Sequence, residues 1–168
     1  MTPDPAIRLQ SVLNTFSQVI VPAIDPNNAL AVEQCGVMAA QLAMLIEHMP
    51  MIGAYHRTCL NDLAQIVDGL PEAAGGPQTM AAAETLAADR AQARDATDDR
   101  AAFHQLGLSL ERLMRAAAAD GDPAYRRQVD GAVLAFSERQ SLRSRSWFNS
   151  AGFDHCEAEV PPIAELLA

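Results

Sequence analysis

The sequence predicts an all-α protein: a single domain, built as a bundle of five or six mainly antiparallel helices with short loops. Three observations predict it. Asp4-Pro5, Asp25-Pro26 and Asp122-Pro123 each stand ahead of a segment with helical apolar period. Asp accepts hydrogen bonds from the free N–H groups of a first turn, and Pro fits the first helical position because its missing N–H would have had no partner there. Apolar residues recur at three- and four-residue spacing, and almost nothing alternates as a strand would. Alanine is roughly a fifth of the 168 residues and has the best helix propensity.

The elements follow in order. A first helix is predicted from about Pro5 to Val21, with Leu9, Val12, Leu13, Phe16, Val19 and Ile20 on one face. A second starts near Asn27 or Asn28 and ends before Pro50, which is read as a break. Its apolar stripe, including Leu30, Cys35, Met38, Leu42, Leu45 and Met49, is so broad that it predicts a central helix packed on more than one side. A third runs from about Met51 to Val67 on Tyr55, Cys59, Leu60, Leu63 and Ile66. Residues 68–77 are rich in Gly and Pro and read as a loop. The stretch 71–97 as a whole reads as an Ala/Gly/Pro-rich excursion, with a helix from Met80 to Ala96 as the other reading. A helix from Thr97 or Asp98 carries Phe103, Leu106, Leu110, Leu113, Met114 and Ala117, and stops at Gly121. The last long helix opens at Asp122-Pro123 and reaches about Phe148 on Val129, Ala132, Val133, Phe136 and Gln140. Residues 149–168 form an irregular tail whose Ile163, Leu166 and Leu167 must dock or fray.

Composition excludes several function classes. An apolar fraction of 49% is too high for a disordered chain. All 12 basic residues are Arg, and the net charge of −9 predicts neither nucleic acid nor a membrane as a partner. Cys35, Cys59 and Cys156 are odd in number and lack CxxC spacing, which predicts reduced thiols and a cytoplasmic protein. No basic-then-apolar leader opens the chain. The longest apolar stretch, Gly36 to Met49, reads as too short and too polar to span a bilayer.

Chemistry is sparse. His56 and Cys59 lie one turn apart, and His48 could join them if the intervening turn folds back. These are the candidate metal ligands, but HxxxH, ExxH and CxxC are absent, so no metal and no cofactor is predicted. His155-Cys156-Glu157 sets a thiol beside an imidazole, although working pairs form in space rather than in sequence. Arg139 and Arg143 are i, i+4 on the last helix, with Trp147 one turn on, and could make an anionic-ligand or partner patch. Nucleotide, P-loop and hydrolase motifs are absent.

These readings predict a non-catalytic interaction or accessory module that forms a homodimer or binds a protein partner, through the apolar tail and the second helix. One alternative is a small-molecule-binding bundle, with an apolar pocket between helices two, three and five and polar contacts from Tyr55, His56 or His104. The other is an enzyme whose site assembles around His56 and His104.

Overall fold

A computed structural model describes residues 4–152 and 160–167. Among them are six α-helices: α1 (Pro5–Thr15), α2 (Ala29–His48), α3 (Ile52–Asp68), α4 (Pro77–Arg94), α5 (Asp99–Asp120) and α6 (Pro123–Phe148). The described residues contain no strand, only an isolated antiparallel bridge between Gly75 and Gly121. The all-α expectation holds.

The helix starts follow the local chemistry. Asp4 accepts from Ala6 N at 2.9 Å, and Asp122 accepts from Ala124 N at 2.7 Å and Tyr125 N at 3.1 Å. Asp98 caps α5 through Ala101 N at 3.0 Å. Asp25 behaves differently. Its carboxylate turns back to Asn27 N, and Asn28 caps α2 through Ala31 N. The first helix does not run evenly to Val21: after Thr15 it widens into a π-turn at Phe16–Ile20 and ends in a 3₁₀ turn at Val21–Ala23. Pro50 does not separate α2 from α3. A single 3₁₀ turn, Met49–Met51, joins them, because Pro at the start of a turn lacks only an N–H that had no partner. The excursion reading of 71–97 is corrected in part, since 77–94 is the regular helix α4.

The chain divides into two compact units. One comprises Gly53–Ser141 and is a four-helix arrangement. Within it, Asp120 at the end of α5 meets Gln78 and Thr79 at the start of α4, so these helices are antiparallel. Phe103 faces Phe136 at 6.5 Å, and Leu113 and Tyr125 line one groove, so α5 and α6 are antiparallel too. Arg57 pairs with Asp99, and Leu63 lies against Gly107, so α3 runs parallel to α5. The order is therefore up-down-up-down. Its core is Leu60, Leu63, Leu86, Leu106, Leu110, Leu113, Tyr125 and Val129, with contributions from all four helices. Arg90 Nε and Nη2 donate to the two carboxylate oxygens of Asp68, at 2.9 and 2.7 Å, tying α4 to α3.

The α4 start lacks a local cap. Gly76 at the N-cap has no side chain, and the Asp120 carboxylate substitutes from the far end of α5. It accepts from Gln78 N at 2.8 Å, Thr79 N at 2.9 Å and the Thr79 hydroxyl at 2.6 Å. Thr79 is fully buried.

The other unit comprises Met1–Ile52 and Leu142–Leu166. Here α1 packs on α2. Met44, His48, Arg143, Ser146, Ala151, Val160 and Ile163 are buried. The tail after Val160 ends in a 3₁₀ turn, Ile163–Leu166, and the Ser146 hydroxyl donates to Pro161 O at 2.6 Å. Ile163 is buried and Leu166 and Leu167 are half-buried. The expectation that this tail is a free docking surface is thus corrected: its own chain covers it.

Candidate functional site

The predicted site residues are dispersed. Tyr55 and His56 meet edge to face at 5.7 Å, and Gln140 Nε2 donates to the Tyr55 hydroxyl at 3.3 Å. His56 is half-buried and Cys59 is buried. His48 belongs to the other unit. Its ring lies 4.7 Å from Trp147, Nε2 is 3.9 Å from Glu47, and Nδ1 has no hydrogen-bond partner among the described residues. Among the described residues no three His, Cys, Asp or Glu side chains form a group able to hold a metal ion. The arginine pair also divides: Arg139 is exposed while Arg143 is 5% exposed. Four residues along a helix set the two about 40° apart around its axis, enough for one to face solvent and the other the interior. His155, Cys156 and Glu157 lie outside the described residues.

His104 is exposed and lines a groove of about 310 Å³ together with Leu63, Phe103, Met114, Val133 and Phe136. The groove lies between α3, α5 and α6, and neither Tyr55 nor His56 lines it.

Carboxylates carry the electrostatic detail. Asp89 accepts a hydrogen bond from the buried Ser109 hydroxyl and a second from Gln105 Nε2 at 3.0 Å. These donors hold its carboxyl below the usual carboxylate range. The Arg90 hydrogen bond does the same to Asp68, and the Thr79 hydroxyl to Asp120. All three shifts are downward. Their stabilisation is fully present above the unfolded carboxylate pKa, about 4, and is lost as pH falls through the lower folded values. Urea midpoints should be flat from neutral pH down to about 5 and then drop with acidification. An Asp89→Asn variant should show a shallower drop; an unchanged slope would remove Asp89 from this account. Sequence reading missed these pairs because their partners lie 16 to 41 residues apart.

The largest anomaly is α2. Of its 20 residues only Met44 and His48 are buried. Packing of the second helix on several sides was expected, and this is corrected: the breadth of its stripe was read rightly, but α1 is short and covers only part of it. Nine large apolar side chains between Ile7 and Ile52 are 42–68% exposed, among them Val12, Val19, Leu30, Met38 and Leu45. The expectation that no stretch could span a bilayer is corrected on length and composition. The helical run continues through Pro50 from Ala29 to Asp68, and an 18-residue window within it has mean hydropathy 1.6, with 6% of its residues buried.

The chain matches no protein-family model, no curated protein and no solved structure.

Proposed function

We propose that this protein is a non-catalytic interaction or accessory module whose working surface is α2 and the apolar side chains of α1 beside it. One observation carries the reading: a helix apolar around most of its circumference with only two of its 20 residues buried. Such a helix is stable in water when something covers it. The remaining chemistry supports no reaction class. The carboxylates with lowered pKa, Asp68, Asp89 and Asp120, are engaged in helix-to-helix hydrogen bonds, and the Ser109 and Thr79 residues whose hydroxyls donate to two of them are buried. The half-buried Cys35 is a free thiol, which suits a reducing, cytoplasmic setting.

The test separates a binding face from a misread core. In the triple variant Leu30→Gln, Met38→Gln, Leu45→Gln, the monomer should keep its helical circular dichroism and unfold within about 1 kcal/mol of wild type. Its binding of an apolar dye should fall. A loss of about 2 kcal/mol or more per site, independent of protein concentration, would show that these side chains belong to the core and would end the reading.

A second reading is favoured by the α3–α5–α6 groove. Its apolar walls suit a small apolar ligand, with the His104 imidazole and the Glu111 carboxylate as polar contacts, and its volume is at the lower limit of ligand pockets.

A further inference from the structure

From Ala31 through Cys35, Met38, Leu42, Leu45 and Met49 the chain advances in alternating steps of four and three, and Ile52 continues the series. This is the 3.5-residue period of a seam made to lie along another helix. None of the seven is buried. Met38, Leu45 and Ile52, each one heptad apart, are 51%, 45% and 42% exposed. The carboxylates lie elsewhere on the helix, while the exposed Gln34 and Gln41 flank the seam, each about 40° from Met38 or Leu45. At about 100° per residue, Glu33 lies about 140° from Met38, and Glu47 about 160° from Leu45.

We infer that this seam pairs with the same seam of a second copy, so that two α1–α2 hairpins form an intermolecular four-helix bundle. The inference rests on the interaction-module reading above and names its partner. Area admits a second copy: Val32 lies about 120° from Met38, so at most eight of the nine exposed apolar side chains can face one partner, at roughly 100 Å² each about 800 Å² per protomer, which is what each partner contributes to a stable interface. A heptad seam selects a helix as its occupant, and a twofold axis supplies one with the same period. Glu33 and Glu47 stay on the outer face, so pairing buries no like charges.

A bilayer fits the same segment less well. Residues 4–52 carry Asp4, Asp25, Glu33 and Glu47 against Arg8 alone, four negative charges and one positive, hence net −3. Membrane-surface helices place Lys and Arg on their polar face, and residues 29–52 carry neither.

Sedimentation velocity on the full chain tests this, from about 1 to about 100 µM. Wild type should sediment as a dimer across most of that range. Met38→Glu with Leu45→Glu should sediment as a monomer with unchanged helical circular dichroism, its self-affinity at least about tenfold weaker. The milder pair Met38→Gln, Leu45→Gln should fall between and guards against misfolding of the Glu variant. A wild type that stays monomeric at the highest concentration overturns the inference, as does a dimer indifferent to both pairs. Flotation of wild type, but not of the Glu variant, with phosphatidylcholine–phosphatidylglycerol vesicles would assign the seam to a bilayer instead. A monomeric wild type whose Leu30, Met38 and Leu45 still tolerate Gln leaves the interaction-module reading standing and removes only the second copy.

Discussion

Gly75→Ala is expected to destabilise the four-helix unit by about 3–5 kcal/mol, the sum of a strained backbone and an overpacked contact. Gly75 has φ of +154°, a region that L-residues rarely enter. A Cβ there would lie 2.6 Å from Gly121 Cα and 2.9 Å from Asp120 O. Both are backbone atoms, so no rotamer change relieves the clash. The neighbouring bonds fix the two segments together: Gly76 N donates to Asp120 O at 2.7 Å, and Asp122 N donates to Ala74 O at 2.9 Å. Moving either segment would also draw the Asp120 carboxylate away from the start of α4. Gly131→Ala is the control, because a Cβ there meets nothing within 4 Å. It lies within a helix and should gain up to about 1 kcal/mol. Urea unfolding of the two variants decides the matter. A Gly75→Ala variant within about 1 kcal/mol of wild type would mean that this junction does not hold α4 to α5.

Leu113→Ala is the second large effect, expected to cost about 3–4 kcal/mol. Leu113 has no exposed surface, and Val67, Leu86 and Tyr125 line the same groove from α3, α4 and α6. Truncation therefore removes contacts with every other helix of the unit, and no single helix can shift to fill the space. The cost combines lost transfer free energy with a cavity term. Leu134→Ala, at a site 63% exposed, should change stability by less than about 0.5 kcal/mol. Equal effects at the two sites would contradict the core described for this unit.

Much of this architecture was legible residue by residue. Asp4, Asp98 and Asp122 cap the helices that their positions announced, because a cap needs only two or three neighbouring residues. The stripe Leu106, Leu110, Leu113 and Ala117 is buried as its period required. Local rules failed where a distant group took part. Asp120 caps α4 from some 40 residues away, so the Ala-rich 77–94 looked like an excursion when read alone. Pro50 read as a break because its surroundings were judged without the 3₁₀ turn that carries the helix through. The candidate site was harder still. His48, His56, Cys59 and His104 drew notice by residue type, yet no metal-holding group forms from them among the described residues. The stripe of the second helix drew notice as apolar surface, yet spacing alone read it both as packed core and as a docking face.

The sequence by itself determined the all-α class, most helix starts and the apolar face of each helix, since these depend on backbone propensity and spacing over a few turns. Tertiary structure alone decided which apolar faces are covered. The tail at Ile163 found a place on its own chain, whereas Met38, Leu45 and Ile52 did not. An apolar stripe states that burial is favourable, but its burial depends on whether another surface of matching shape comes within van der Waals reach.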